Sequence, residues 1–452
     1  MKLKGILLPI FSLPSKYGIG DFGPNAYKFI DILSKNKIDY WNILPIYDTN
    51  GNAFYSPNSF YALFTLYISL DDLYEKGLIK KPKKYELEDR INYDKIYEYK
   101  NKYFKEAYSN FKEDDEFKEF IKDQNMINYA EYKYYFDKYK SIDKIVLEEN
   151  IDIKYYLFLQ YILHKEWFKL KEYANSKNVK ILGDMPIYPD YNSSEVFKSK
   201  DMYQLKDGFK YVSGSSPDYF DRNGQKWGHP LYDFELMKKN NYKYLINRYL
   251  DANKKFDIVR IDHFRALESY FKIPIDKDPK DGFYEQGPSY CLFDELFKYT
   301  SSDKFIVEDL GNELDDVLKL RDYYDLMGMK ILQYTLDGEK DNYNEKENML
   351  VYTGNHDNDT IVGWYNKFND KDKLKEFLKK ENCYDKKIHF SLIKYALKCN
   401  GKLVIVPIQD LLGLDTNSRV NIPGTTSNFN WSWKLKDFKG LNSVINEFSK
   451  LK

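Results

Sequence analysis

Cysteine and histidine are scarce in this chain, which has three cysteines and five histidines among 452 residues. Cys291, Cys383 and Cys399 form no CxxC pair and are odd in number, which argues for reduced thiols and a cytoplasmic protein. The histidines form no His-x-His or His-Glu-x-x-His pattern, so a zinc or binuclear metal site is not expected. The GxGxxG run at 18–23 does not directly follow a predicted strand, so we expect no dinucleotide and no other cofactor.

Net charge and long apolar runs are also missing. Lys plus Arg and Asp plus Glu both total 70, so the formal net charge is zero and no overall field favours nucleic acid or an anionic membrane. No run approaches the ~18 apolar residues that a membrane-spanning helix needs. The apolar segment 3–13 is interrupted by Pro9, which favours a first strand over a signal peptide. We therefore expect a soluble protein with a neutral partner.

Eight short apolar or β-branched runs bounded by turn residues predict eight strands, at 5–9, 40–45, 179–186, 258–262, 305–308, 329–333, 349–353 and 403–407. Helical patterns, such as 26–34, separate most of them. Alternation of this kind predicts a parallel sheet, and eight repeats predict a (β/α)8 TIM barrel. The catalytic residues of such barrels come from the carboxyl ends of the strands.

Two connections are too long for a plain crossover helix. Residues 46–178 are predicted to be an insertion after strand 2 that contains a mostly helical subdomain, because 82–178 is rich in charged and aromatic residues and poor in glycine and proline. Residues 187–255 are predicted to be a loop-rich insertion that covers the cleft at the barrel mouth. The whole chain, 1–452, is then one catalytic barrel with insertions.

Three predicted strands lead into a carboxylate within a polar cluster, namely Asp262, Glu308 and Asp357. A charged group that closes an apolar strand is costly unless it is paired or used, so the three indicate a site. Two carboxylates on facing strand ends can break a glycosidic bond, one as nucleophile and the other as general acid and then base. A third carboxylate can hold the sugar.

Arg260 lies two residues before Asp262 and therefore on the same side of the strand, where its charge would keep Asp262 ionised. Glu308 follows an apolar run, which predicts a raised pKa and a protonated carboxyl. His263 and His356 are predicted to contact sugar hydroxyls. An Arg-x-Asp pair is about as often a purely structural ion pair as a functional one. A metal hydrolase and a non-catalytic glycan-binding module remain as alternatives, although the first needs more histidine and the second does not need Asp262 and Glu308.

The order of several motifs carries a resemblance that runs nearly end to end. The motifs lie at 5–9, 18–23, 181–187, 216–220, 224–228, 407–410 and 430–433, with the three carboxylate motifs in their expected places. In this order and spacing they resemble the amylomaltases, the 4-alpha-glucanotransferases or disproportionating enzymes of glycoside hydrolase family 77.

The resemblance implies a role for each matching residue. Asp262 would be the nucleophile that forms a covalent glucosyl-enzyme, Glu308 the general acid and base, and Asp357 the transition-state stabiliser. The implied substrate-binding residues are Arg260, His263, His356, Asp184, Gln225, Trp227, Asn430 and Tyr55. Gln225 and Trp227 would lie on a loop that covers the cleft, where Trp227 offers a stacking face for glucose.

One segment departs from the family. The Ser-Pro that commonly precedes the donor-site tyrosine is replaced here by Ala53 and Phe54, which predicts a less rigid loop around Tyr55.

The implied activity is the transfer of a 1,4-alpha-glucan segment to the non-reducing end of another glucan or of glucose, by a retaining double displacement and without a cofactor or metal. The implied partners are maltooligosaccharides, starch- or glycogen-derived alpha-glucans and glucose as acceptor, with no nucleic acid and no membrane. An amylase-like alpha-glucan hydrolase is the alternative, because the carboxylates alone do not separate transfer from hydrolysis.

Overall fold

A computed structural model of the protein describes residues 2–86, 88–217, 222–311, 315–338 and 347–451. In these ranges the strands are β1 (Leu3–Leu7), β2 (Tyr40–Asn42), β3 (Lys180–Met185), β4 (Tyr211–Ser215), β5 (Gln225–Lys226), β6 (Ile258–Ile261), β7 (Ser269–Pro274), β8 (Phe283–Gln286), β9 (Phe305–Val307), β10 (Gly328–Ile331), β11 (Met349–Tyr352) and β12 (Leu403–Pro407).

The α-helices of the same ranges are α1 (Pro24–Lys35), α2 (Leu70–Glu75), α3 (Tyr93–Asn110), α4 (Asp115–Phe120), α5 (Gln124–Tyr139), α6 (Lys154–Ser176), α7 (Ser194–Lys198), α8 (Phe234–Lys239), α9 (Lys243–Lys255), α10 (Arg265–Glu268), α11 (Ser289–Leu296), α12 (Asp315–Tyr323), α13 (Leu332–Leu336), α14 (Ile361–Lys367), α15 (Lys371–Lys380), α16 (Ile388–Lys398), α17 (Ile408–Leu412) and α18 (Leu441–Lys450).

Eight strands form one parallel sheet in the order β10-β11-β12-β1-β2-β3-β6-β9. The two ends of the sheet meet, because Ile306 of β9 forms a parallel bridge with Met327 just before β10, and the Val307 N–H donates to the Met327 carbonyl at 2.8 Å. The strands are almost wholly buried, as expected of a parallel sheet covered by helices on its outer face. The predicted (β/α)8 barrel is confirmed, and each of the eight predicted strands is present.

The connection from β2 to β3 holds helices α2 to α6. The longest of them, α6, buries Trp167 and Leu170, and the Trp167 indole N–H donates to the carbonyl of Lys255 at 3.2 Å. Asn92 begins α3 with a side-chain cap on the N–H of Lys95. Large aromatic side chains thus attach these helices to the barrel wall.

The cleft-side insertion contains more regular structure than the predicted loop. Strands β4 and β5 pair with β7 and β8 into an antiparallel sheet of order β5-β4-β7-β8. Gly214 lies where β4 and β5 approach most closely, and a Cβ there would be 2.2 Å from the carbonyl oxygen of Gln225. The sheet escaped prediction because its strands are short and come from two separate connections, so no local pattern pairs them.

The carboxyl ends of β3, β6, β9 and β11 open on the side of the barrel that this antiparallel sheet borders. Residues 218–220 of one predicted motif lie outside the described residues. Within the ranges that are described, no helix has the length and apolar character needed to span a membrane.

Glu166 of α6 is a carboxylic acid buried away from the barrel mouth. Its Oε2 accepts the N–H of Ser69 at 3.0 Å, and burial raises the pKa of Glu166 to about 8 although Lys76, 4.0 Å away, acts to lower it. The folded pKa therefore lies above the value of about 4.3 that an unfolded chain has. The folded protein retains a proton that the unfolded chain releases, so stability is lost as the pH rises from ~4.3 to 8.

We predict that Glu166→Gln flattens this pH dependence. The free energy of unfolding should fall with pH in the wild type by up to roughly 1.4 kcal/mol per pH unit from this group, and by less in the variant. Urea denaturation at pH 5 and pH 8 measures the difference. Glu172→Gln, an exposed position on the same helix, is the control. Equal slopes for wild type and Glu166→Gln would contradict the prediction.

Candidate active site

A cavity of about 590 Å³ lies at the carboxyl ends of the barrel strands. The predicted site residues that line it are Asp262, Glu308, Asp357, His263, His356, Gln225, Trp227 and Tyr55. Three other predicted residues, Arg260, Asp184 and Asn430, are buried outside the lining, each with at most 2% of its surface exposed.

Arg260 connects three carboxylates beneath the cavity. Its Nη1 donates to both oxygens of Asp184, at 2.7 and 2.8 Å, and to Oδ1 of Asp262 at 3.1 Å. Its Nη2 lies 2.9 Å from Oε2 of Glu308. The contacts follow from the sheet order, because β3, β6 and β9 are neighbours and Asp184 lies directly opposite Arg260 in the register. One cation thus serves an acid from each of three strands.

The pKa shifts of Asp262 and Glu308 have the opposite directions to those expected from the sequence. Burial raises the pKa of Asp262 well above its usual range, and Arg260 offsets this only in part. Burial acts the same way on Glu308, but Arg260 and the backbone N–H of His263, which donates to Oε2 at 2.7 Å, bring its pKa below the usual value. Both carboxyl groups contact the same guanidinium, Asp262 at Nη1 and Glu308 at Nη2.

The backbone at His263 explains why the lowered pKa of Glu308 was not predicted. His263 has a φ of 43°, a left-handed conformation that is uncommon for non-glycine residues and turns its N–H toward Glu308. Burial also lowers the pKa of the His263 imidazole to about 4, so the ring is neutral at pH 7. A run of strand residues that ends in Asp-His carries no sign of this turn.

One wall of the cavity comes from the antiparallel sheet. Trp227, just after β5, meets the His263 ring edge-on with ring centroids 4.6 Å apart. Its indole N–H donates to the Gln225 side chain at 3.0 Å. On the same side, the guanidinium of Arg265 lies 4.3 Å from the ring centre of Tyr284, and the Tyr284 hydroxyl is 2.8 Å from that of Ser216.

The opposite wall carries Tyr55. Its hydroxyl donates to Asp184 at 2.7 Å, and its ring stacks on His356 with centroids 5.0 Å apart. Trp431 packs against both rings, at 5.5 Å from Tyr55 and 5.6 Å from His356. These contacts fix the Tyr55 hydroxyl on Asp184 and the Tyr55 ring between His356 and Trp431.

The altered segment before Tyr55 is packed against the barrel through Phe54, while its predicted lower rigidity stays a prediction. Phe54 is 1% exposed and stacks on Phe11 with centroids 4.9 Å apart. The hydroxyl of Thr49 donates to the carbonyl of Ala53 at 2.7 Å. Burial of an aromatic ring thus replaces the restraint that a proline provides.

Asp357 is held as an anion. Burial acts to raise its pKa, but His356, whose Nε2 lies 3.3 Å from Oδ2, and the side chain of Asn421, which donates to Oδ1 at 2.7 Å, lower it to about 2. Arg419 additionally donates to the Asp357 carbonyl at 2.7 Å. The carboxylate is therefore fixed by donors on both of its oxygens.

Asn430 supports a loop and does not contact the cavity. Its side-chain amide donates to the carbonyl of Thr425 at 2.9 Å and accepts the N–H of Ile422 at 3.2 Å. The next residue, Trp431, is the one that reaches the lining. The 430–433 motif therefore reaches the cavity through Trp431, and a substrate contact of Asn430 stays a prediction.

Several lining residues were not predicted. Asn421 lies before the 430–433 motif and Trp431 lies within it. The tryptophan was the signal in the sequence that could have been used. Ser56 and His229 join across the cavity with 2.6 Å between Oγ and Nε2. Arg265 and Tyr284 reach it from α10 and β8. Tyr284 carried no signal, because the sheet that presents it was itself unpredicted.

The described residues contain no group of three or more His, Cys, Asp or Glu side chains that could hold a metal ion. The positive charge among Asp184, Asp262 and Glu308 is the Arg260 guanidinium.

Comparison with known proteins agrees with this geometry. The family model for glycoside hydrolase family 77, described as 4-alpha-glucanotransferase, matches residues 8–441. The 4-alpha-glucanotransferase of Aquifex aeolicus is 33% identical over 97% of this chain and 96% of its own length. That of Clostridium butyricum is 35% identical over 98% of both. The solved amylomaltase of Streptococcus agalactiae in complex with acarbose superposes with a TM-score of 0.92 at 27% identity, covering 100% of this chain and 99% of that one.

Removal of the Arg260 charge should destabilise the protein in a pH-dependent way. In Arg260→Met the three acids lose their cation, and we expect a loss of about 3–5 kcal/mol of unfolding free energy at pH 7.5. The loss should shrink at pH 5. Without Arg260, burial raises the pKa values of the buried carboxyls in the folded variant, so these groups take up protons and lose their charge as the pH falls.

Urea denaturation at both pH values measures this effect. Lys319→Met, which breaks the exposed ion pair of Lys319 with Asp316, is the control and should change stability little. A loss in Arg260→Met that is the same at the two pH values would show that the three carboxylates do not depend on this cation.

Proposed function

The chain belongs to the 4-alpha-glucanotransferases of glycoside hydrolase family 77, and we propose that Asp262, Glu308 and Asp357 carry out its transfer reaction. Asp262 is the nucleophile, Glu308 the general acid and base, and Asp357 the group that grips the sugar in the transition state. The observation that carries this assignment is the direct contact of Asp262 and Glu308 on one guanidinium at the barrel mouth.

The shared contact of the two carboxyls with Arg260 favours retention of the anomeric configuration. Inverting enzymes keep their carboxyl groups ~6.5–9.5 Å apart to leave room for a water molecule, whereas retaining pairs are only ~5–5.5 Å apart. Asp262 lies 3.1 Å from Nη1 and Glu308 2.9 Å from Nη2 of the same guanidinium, which draws the two carboxyls together. The proposal is therefore a double displacement through a glucosyl ester on Asp262.

In the first step the Asp262 carboxylate attacks the anomeric carbon of a 1,4-alpha-glucan. The glycosidic bond breaks and Glu308 gives its proton to the leaving oxygen. In the second step the hydroxyl at the non-reducing end of an acceptor glucan attacks the same carbon. Glu308 takes the proton of that hydroxyl, and Asp262 leaves as a carboxylate.

This cycle needs the proton on Glu308 and an ionised Asp262, whereas burial raises the pKa of Asp262 and the contacts with Arg260 and the His263 N–H lower that of Glu308. A glucan that brings its glycosidic oxygen within reach of Glu308 offers a proton acceptor on that side. Asp262 keeps its contact with Arg260 at 3.1 Å, which stabilises the anion that forms.

The cavity walls supply surfaces for glucose rings. Trp227, Tyr55 and Trp431 present aromatic faces of the kind that pack on sugars. Asp357 offers an anionic acceptor for hydroxyl groups beside His356. Arg260 and Asp184 act from beneath, since both are buried and meet the substrate only through Asp262, Glu308 and Tyr55.

Transfer prevails over hydrolysis when water is kept from the covalent intermediate. We propose that the segment around Trp227, held by β4 and β5, covers the intermediate while an acceptor is bound. The fixed Trp227–His263 contact supports this arrangement, because it places an apolar ring beside the reacting pair.

The family acts on alpha-glucans. The finer assignment that we propose is maltooligosaccharides and starch- or glycogen-derived glucans as donors, with glucose as an acceptor. We also propose a cytoplasmic location, supported by the small and odd number of cysteines, three in the whole chain, of which Cys383 and Cys399 are buried.

Incubation of the purified protein with maltotriose tests the transfer. We expect glucose and longer maltodextrins with little rise in total reducing ends, because each bond broken is replaced by a bond formed. Chromatography of the products with a reducing-end assay measures both quantities. A rise in reducing ends that matches bond cleavage would identify a hydrolase.

Asp262→Asn should abolish turnover and preserve the fold. Loss of the nucleophile is expected to lower kcat by about 10⁴-fold or more. Asn has nearly the size and shape of Asp but no charge, and burial acts against the charge of Asp262, so the melting temperature should not fall. Asp276→Asn, an exposed position just after β7, is the matched control. Retained activity in Asp262→Asn would refute the assignment of the nucleophile.

A further inference from the structure

Residues 417–432, here called the mouth loop, reach the cavity from the C-terminal part of the chain. The loop carries Asn421, which donates to Asp357, and Trp431, which packs on Tyr55 and His356. Pro423 and Gly424 at its tip also line the cavity, and residues 423–428 are exposed. A loop with an exposed tip keeps its inner side chains in place only if its two ends are held.

Arg90 holds both ends of the mouth loop, although it lies more than 300 residues earlier in the chain. Its Nη2 donates to the carbonyl of Asn417, where the loop begins. Its Nη1 donates to the carbonyl of Phe429 at 3.0 Å and to the Ser432 hydroxyl at 3.2 Å, where the loop ends. The guanidinium also lies flat against the Phe429 ring, 3.7 Å from its centre.

Neighbours of Arg90 add contacts at the same end of the loop. The Ile91 N–H donates to the carbonyl of Ser432 at 2.8 Å, and the Tyr93 hydroxyl donates to that of Trp431 at 2.5 Å. Trp431 has a φ of 59°, so its backbone is in the left-handed region that costs energy for a side chain of this size. The surrounding contacts stabilise that conformation, which directs the Trp431 ring into the cavity.

We propose that Arg90 is a positioning residue for the glucan transfer and that it acts through the mouth loop on Asp357 and on the Tyr55 wall. This role rests on the proposed function of Asp357. It also assigns a purpose to the insertion between β2 and β3, which supplies Arg90, Ile91 and Tyr93 to the two ends of the mouth loop.

The geometry requires arginine. A planar guanidinium reaches acceptors at both loop ends and stacks on a ring at the same time, whereas a lysine ammonium is a compact charge that does neither. Displacement of a catalytic group by about 1 Å can cost up to ~10²-fold in rate. We expect Arg90→Gln to lower kcat/KM for maltotriose by about 10- to 100-fold, mainly through kcat, since Asp357 acts in the transition state.

The experiment measures disproportionation of maltotriose by wild type, Arg90→Gln and Arg90→Lys, together with thermal unfolding of each. Lys95→Gln is the matched control, because Lys95 lies in the same insertion and pairs only with the exposed Glu88. Its activity should equal that of the wild type. If Arg90→Gln does not fold, Arg90→Lys keeps the charge and should still be impaired at least several-fold.

A double-mutant cycle with Asn421→Ala separates positioning from a general structural effect. If Arg90 acts on Asp357 through the mouth loop, Arg90→Gln should cause a smaller loss in the Asn421→Ala background than in the wild type, because one of its two routes is already broken. Calorimetric titration with acarbose, the molecule bound to the streptococcal amylomaltase, gives a readout without turnover. We expect weaker binding by Arg90→Gln and unchanged binding by Lys95→Gln.

The two proposals fail in different ways. Wild-type protein that does not disproportionate maltotriose would refute the proposed function and this role with it. An active wild type with Arg90→Gln within twofold of it, or losses that multiply fully in the cycle, would refute only the role of Arg90.

Discussion

The contact of one guanidinium with three carboxylates organises the active site. Arg260 is 2% exposed and forms ion pairs with Asp184, Asp262 and Glu308, one acid from each of three neighbouring strands. Without this cation, the burial of Asp184, Asp262 and Glu308 at one end of the barrel would cost far more than their hydrogen bonds return. With it, each of the three acids has a charged donor at 2.7–3.1 Å.

The influence of Arg260 extends to the cavity wall through Asp184. Asp184 accepts from both Arg260 and the Tyr55 hydroxyl, so the position of the Tyr55 ring depends on the ion pair beneath it. His356 stacks on that ring and lies beside Asp357. Contacts between side chains thus connect Asp357 to Asp262 and Glu308, although β11, which precedes Asp357, is not adjacent to β6 or β9.

The barrel supplies the acids, and its insertions shape the space around them. The antiparallel sheet contributes Trp227 and Tyr284 from strands that belong to two different connections. The insertion after β2 supports the mouth loop through Arg90. A barrel without these segments would keep Asp262 and Glu308 but would lack the residues that wall the cavity above them. This division explains how one barrel type can serve several reactions on sugars.

The sequence alone determined the eight strands, the three acids at their ends and the family, because strand periodicity and the order of motifs are local or linear properties. It did not determine the direction in which the pKa of Glu308 shifts, since that depends on an N–H turned toward its carboxylate by the left-handed backbone of His263. Nor did it show that Trp431 and Asn421 reach the cavity while Asn430 supports the loop, or that Arg90 holds that loop. Those features arise from contacts between segments as much as 340 residues apart, where no pattern within a segment records its partner.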